Sequence, residues 1–311
     1  MIRKSLDVRS WEAAQGLVRE MEIVGQAVPT VKEASGRFIE YQESRRLSPD
    51  TIQKFRLLFS EWELKGPINT ITPDDVSKIV EGWKMAPSSA NKKLERLRSF
   101  FKFCVERGWC DKSPAQGLRG PKETAIDKKP YEPEELEKIT WAIPLFPIKG
   151  IYGEKNRERI AAFVAVLRWT GLRIRDVVQL KWSAVADGYI TLRTHKNGKP
   201  VRLPVHQNID QSLSKLPTHT EYIFWSGEGN PKSCVGDWQR TFRRLDKLAG
   251  VHIHAHRWRH TFATDLLSKG VPVSEVAAIL GNSPRIVEKH YSHWISSRQA
   301  AIDSAVKQVW A

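Results

Sequence analysis

Only three cysteines, Cys104, Cys110 and Cys234, occur in the 311 residues. Their number is odd and their spacing is not that of metal-binding pairs. A disulfide framework and a zinc module are therefore not expected, and reduced thiols in a cytosolic compartment are. No apolar run approaches the ~18 residues that a membrane span needs. The basic start, MIRKSLDVRSWEAAQ, has no apolar stretch behind it, so a secretory signal is not expected. Acidic residues are in deficit: 35 Asp+Glu face 50 Lys+Arg, for a net charge of +15. That surplus suits a polyanionic partner, since each neutralised phosphate releases condensed counterions, although a merely basic protein would share it. The 41% hydrophobic and 27% charged residues are ordinary for a globular chain, and the length suits about two domains.

Helical signals organise the first third. Residues 1–28 hold one short amphipathic candidate, about Ser10 to Ile23. From 29 to 115 four helices are predicted, the first opened by Val31 and ended by Arg45 to Ser48. Ser48-Pro49-Asp50 and Thr72-Pro73-Asp74-Asp75 open the next two, with Pro in the first turn of each. The fourth runs from near Ser88 through Leu94, Leu97 and Phe101 to a stop at Gly108. Residues 116–130 read as an extended basic linker, and 131–311 as a second domain. In that domain a helix follows Tyr131-Glu132-Pro133 and another covers about Asn156 to Thr170. Tyr189–Leu192 and Val201–Leu203 then flank Asn197-Gly198 as a hairpin, and helices resume near Ser233. The fold class is mainly α with a small β-hairpin or sheet.

Three clusters carry chemistry. In the first, Thr170-Gly171 ends one apolar helix and another begins at once, pinning Arg173 in a sharp turn. Asp176, three residues on, is close enough to orient a guanidinium, or to make a plain salt bridge at a helix start. In the second, His256, Arg259 and His260 occupy one side of a helix's first turn. The two histidines have metal-ligand spacing, but Arg257, Trp258 and Arg259 stand where a zinc protease needs a glutamate, and two guanidiniums repel a dication. In the third, Tyr291 follows Leu280-Gly281-Asn282-Ser283. A phenol with a free pKa of about 10 is a nucleophile only if something activates it.

Together the clusters and the hairpin resemble the catalytic domain of the tyrosine recombinase (phage integrase) family. That family reads Thr-Gly-x-Arg, a hairpin lysine, His-x-x-Arg-His, Leu-Gly-His-Ser and then a tyrosine. Here Thr170-Gly171-Leu172-Arg173 matches the first. Lys196 matches the lysine, with Lys199 as a stand-in, His256–His260 match the third and Tyr291 the last. Asn282 departs from the histidine or tryptophan usual at its position; it can donate a hydrogen bond but cannot be charged. The helical 29–115 segment resembles the family's core-binding domain in pattern and position. In a subset of the family the chain continues upstream of a segment like Ile2–Leu6, so an additional N-terminal module, missing or separately encoded, is compatible with the resemblance.

The resemblance implies a site-specific recombinase that cuts and rejoins DNA through a 3′-phosphotyrosine and serves a mobile element. Arg173 and Arg259 would clamp the scissile phosphate, with Asn282 donating beside them. His256 would accept the proton of Tyr291, whose ionisation the arginines ease, and Lys196 would protonate the leaving 5′-oxygen. Asp176 would orient Arg173, and His260 would support the site. It implies no cofactor and no metal. The expected partners are double-stranded DNA, further copies in a homotetramer on paired sites, and accessory DNA-bending proteins. No membrane partner is expected, and the expected location is cytoplasmic, at the nucleoid. Two alternatives remain: a type IB topoisomerase-like relaxase acting as a monomer, and a catalytically weak or idle DNA-binding protein, to which Asn282 points.

Overall fold

The structure, a computed structural model, describes residues 10–12, 15, 28–122, 129–147, 153–291 and 297–310. The helix expected over about Ser10 to Ile23 lies almost wholly outside them. The chain divides into two compact units, Met1–Ala125 and Ile126–Ala311. It is mainly helical with one small sheet. Among the described residues no helix is long and apolar enough to cross a membrane.

The first unit holds helices α1 (Val31–Ser44), α2 (Pro49–Ser60), α3 (Pro73–Glu81) and α4 (Pro87–Glu106), and the first three start on a side-chain cap. Thr30 and Glu33 form a reciprocal capping box at α1, and Thr72 and Asp75 form another at α3. Ser48 caps α2 ahead of Pro49. Helix α4 buries Ala90, Leu94, Leu97, Phe101 and Cys104, the i, i+4, i+7 stripe of an amphipathic helix. Phe38 of α1 meets Phe55, Phe100 and Phe103 edge-on at 5.0–5.5 Å, the arrangement ring quadrupoles favour. The segment expected as linker begins as part of this unit. Leu118 packs on the core, and the carbonyls of Leu118 and Pro121 accept from Arg98 and Asn91 of α4.

In the second unit, α5 (Pro133–Ala142) and α6 (Gly153–Thr170) lead to the short α7 (Ile174–Val178). An antiparallel sheet follows in the order β1 (Val185–Ala186), β2 (Tyr189–Arg193), β3 (Pro200–Pro204). Ile190 pairs with Leu203 and Leu192 with Val201; Ile190, Val201 and Leu203 face the core. Next come α8 (Gln207–Leu213), α9 (Pro231–Ala249), α10 (Ala255–Ser268), α11 (Val273–Leu280), α12 (Pro284–Tyr291) and α13 (Ser297–Trp310). Helix α6 is central: Ile160, Phe163, Val166 and Leu167 are fully buried, and Phe163 stacks on Trp238 at 3.7 Å.

Two elements escape the sequence pattern. Strand β1 is two residues long, and α8 spans two turns capped by His206, whose ring stacks on Trp169. The hairpin also differs from a two-residue Asn-Gly turn. Its loop runs Thr194–Lys199, closed by Thr194 N donating to Lys199 O at 2.9 Å, and only Gly198 takes positive φ (+64°). Asn197 is spent on a side-chain contact instead.

Candidate active site

Arg173 is placed by its backbone. Thr170 ends α6 with its Oγ1 donating to Val166 O and accepting from Leu172 N. Gly171 then turns the chain at φ +60°, and Arg173 follows extended as the N-cap of α7. Its Nη2 donates to Asn282 Oδ1 at 2.8 Å, while Nη1 is buried without a hydrogen-bond acceptor.

Arg259 projects from α10 and is 6% exposed. Its Nη1 donates to Gly171 O at 2.8 Å and its Nη2 to Leu280 O at 2.6 Å. Both carbonyls lie at helix C-termini, where the backbone dipoles favour a cation. Burial, with Arg173 nearby, lowers the guanidinium to about 10, still protonated at neutral pH. These two bonds use two of its five N–H donors.

Tyr291, the last residue of α12, is 4% exposed in a cluster with Leu267, Ala277, Leu280 and Val287. Its ring lies 5.2 Å from that of His260. Burial lifts the phenol to about 12, and Arg259 offsets only part of the rise. Easier ionisation beside the arginines is thus not what this conformation provides: desolvation of the phenolate outweighs them.

His256, in contrast, is exposed in the first turn of α10, where its N–H donates to Nδ1 of the capping His254. The two residues between His256 and Arg259 are structural. Trp258 is buried against Tyr131, and Arg257 pairs with Glu135 and covers the Tyr131 ring. Asp176 is 5% exposed and forms no ion pair with Arg173; its Oδ1 accepts from His195 N at 2.7 Å. Arg173 donates to Asn282 and not to Asp176, whose second carboxylate oxygen is buried without a hydrogen-bond donor. Lys196 is exposed at the hairpin apex, whereas Lys199 Nζ donates to Asn282 O at 2.9 Å.

The structure therefore gathers Arg173, Arg259, Asn282, His260 and Tyr291, and ties Asp176 and the lysine hairpin to them. Sequence reasoning missed Thr194, Asn197 and the backbone oxygens of Gly171, Leu280 and Gly281. The only signal for Asn197 was an Asn-Gly pair that read as a turn. Two guanidiniums beside a phenol suit binding of an oxyanion.

Residues 133–297, just over half the chain, match the family model described as the phage integrase family. The chain belongs to the phage integrase family of tyrosine recombinases. Its relatives agree. Tyrosine recombinase XerA of Pyrococcus furiosus is 26% identical over 79% of this chain and 84% of its own. A tyrosine recombinase of Agathobacter rectalis is 27% identical over 85% and 93%. The fold of this family member is also that of a lambda integrase dimer bound to a COC′ core site. That match has a TM-score of 0.68 and 18% identity, and covers 90% of this chain and 85% of the integrase. The Tn1549 transposon integrase bound to transposon right-end DNA matches with a TM-score of 0.65 and 17% identity, over 89% and 99%. Membership carries an activity class, the recombination of DNA strands.

Proposed function

We propose that the chain is a site-specific recombinase that cleaves and rejoins DNA through a 3′-phosphotyrosine at Tyr291, without ATP. The observation that carries this reading is the pairing of Arg173 and Arg259 through the 280–282 segment, with Arg173 Nη1 buried and lacking an acceptor. A phosphate oxygen would supply that acceptor. In the reaction, Tyr291 Oη forms a bond to phosphorus and the P–O5′ bond breaks. The phenol proton passes to His256, and Lys196 delivers one to the departing 5′-oxygen. The reverse sequence reseals the strand, so the bond energy is conserved.

The two guanidiniums stabilise the charge that grows on the phosphoryl oxygens, where loss of one preorganised donor typically costs about 2.7–4 kcal/mol. Asn282 turns its oxygen to Arg173, which leaves Nδ2 to donate to phosphate. Asp176 acts through the hairpin, and His260 supports Tyr291. Lys196 is preferred to Lys199 as the acid because Lys199 already holds a backbone carbonyl. The helical first unit would grip the duplex alongside, using the basic surplus. We take the cargo to be a mobile element, as with the Tn1549 transposon integrase. The working form would be a tetramer on paired sites, aided by DNA-bending proteins. Lambda integrase has been captured as a tetramer on a Holliday junction. The exposed Val309 and Trp310 of α13 offer an apolar surface for a second copy.

A second reading, a DNA-binding protein that does not cut, is favoured by the burial of Tyr291, which must leave its cluster to reach a phosphate. One experiment separates the two. The protein is incubated with nicked duplexes tiled from the DNA flanking its own gene, and SDS-resistant adducts are sought. An adduct lost in Tyr291→Phe, with DNA binding spared, is expected. Tight salt-sensitive binding without adduct would establish the idle protein. Equal adduct yield from Tyr291→Phe would sink the nucleophile assignment. Sedimentation of the trapped complex reads the assembly: two duplexes per particle for a recombinase, one for a monomeric relaxase.

A further inference from the structure

Three consecutive residues, the last of α11 and the two that follow it, each offer an oxygen to a different part of the site. Leu280 O takes Arg259, Gly281 O takes Asn197 Nδ2 at 2.9 Å, and Asn282 takes Arg173 with its side chain and Lys199 with its carbonyl. Gly281 is where the chain leaves α11 in the left-handed region, φ +61°, exposing its carbonyl to the hairpin. Thr194, 2% exposed, donates from Oγ1 to Asn197 Oδ1 at 2.6 Å. The orientation of the Asn197 amide is thereby determined. Gly281 O is acceptor-only, so Nδ2 must face it and Oδ1 must face the hydroxyl.

On the other side of the loop, His195 N donates to the buried Asp176, three residues beyond Arg173. Both neighbours of Lys196 are therefore tied, one to the turn that carries Arg173 and the other to the segment that binds both arginines. Lys196 itself stays exposed. Lys199 adds one contact from an ammonium on a flexible stem, whereas the Asn197 amide is held at both its oxygen and its nitrogen.

We propose that Asn197 is a positioning residue that clamps the β2–β3 loop to Gly281, holding Lys196 where it can protonate the leaving oxygen. The inference rests on the reading of Lys196 as the acid in strand cleavage. Replacing Asn197 requires no backbone change, since its φ is not positive. Asn197→Ala removes the donor, and Asn197→Asp sets a carboxylate against a carbonyl. Either releases the apex while leaving Arg173, Arg259 and Tyr291 in place.

Leaving-group chemistry tests this. Two versions of the cleavable duplex found by adduct trapping are compared, one with the natural 5′-oxygen and one with sulfur in that bridging position. A thiolate departs without a proton, because its pKa is far below that of an alkoxide. Lys196→Ala, Asn197→Ala and Asn197→Asp should each cleave the oxygen duplex more slowly, on the order of 10²-fold for loss of a general acid. The same variants should cleave the sulfur duplex within about threefold of wild type. Equal impairment of the Asn197 variants on both duplexes would mean a merely structural role and overturn the proposal; so would undiminished cleavage of the oxygen duplex. Sulfur rescue of Lys199→Ala in place of Lys196→Ala would overturn the choice of acid and the inference with it. Wild type inactive on both duplexes would instead refute strand cleavage itself.

Discussion

Gly171 joins the fold to the site. It sits at φ +60°, and a Cβ added there would lie 2.6 Å from Phe262 Cδ1 and 3.1 Å from Leu280 Cδ2. Its carbonyl also accepts from Arg259. Gly171→Ala therefore carries two costs: about 1–2 kcal/mol for a left-handed alanine, and about 1–3 kcal/mol for overpacking a filled interior. Gly250 supplies the control. It has nearly the same φ, +62°, as the C-cap of α9, and a Cβ there would meet nothing within 4 Å. Gly250→Ala should thus show the conformational cost alone. The difference between the variants isolates the packing cost of about 1–3 kcal/mol, or roughly 2–12 °C in melting temperature for a unit of this size. Scanning calorimetry of the two full-length variants and wild type would read it. Below the melting transition, Gly171→Ala should also cleave DNA more slowly, because the carbonyl that fixes Arg259 is displaced, while Gly250→Ala should not. Equal melting losses in the two variants would refute the packing argument.

Arg259→Lys should behave as a non-conservative change. A single ammonium cannot span Gly171 O and Leu280 O, so one buried carbonyl loses its donor at a cost of about 1–3 kcal/mol. Single-turnover cleavage should fall on the order of 10²–10³-fold with DNA binding retained; an unchanged cleavage rate would reduce Arg259 to a structural role. Tyr291 predicts a pH signature. Burial raises its folded pKa to about 12, against about 10 for an exposed tyrosine. The unfolded chain therefore releases this proton first on raising the pH. The contribution is full below about pH 10 and is lost as pH climbs towards about 12. Urea unfolding of wild type and Tyr291→Phe at about pH 9 and about pH 11 should show the comparison shifting in favour of the Phe variant. An unchanged difference would contradict a buried phenol.

Much of the helical framework was legible because its signals are local. Ser48-Pro49, the Thr72/Asp75 pair and the stop at Gly108 act within about four residues of the elements they bound, so reading the chain in order suffices. The same holds for Arg173, pinned between two helices by Thr170 and Gly171. Short elements were not legible. Strand β1 has two residues and α8 has seven, too few to show a period, and both exist because of what they pack against. Asn197-Gly198 misled for a related reason: an Asn-Gly pair favours a tight turn in isolation, but here the asparagine finds Gly281 O, 84 residues away.

The chain order of Arg173, the hairpin lysines, His256–His260 and Tyr291 determined the family, and the cap and periodicity signals determined most of the helices. Tertiary structure alone decided the connections among them. It placed His260 against Tyr291 while leaving His256 exposed, gave Asp176 to the hairpin backbone, and turned Asn282 towards Arg173. It also buried the phenol deeply enough to raise its pKa. The reason is distance along the chain. Arg259 reaches Gly171 across 88 residues and Arg173 reaches Asn282 across 109. Contacts of that span, and the desolvation that accompanies them, come into being only when the whole catalytic unit has packed.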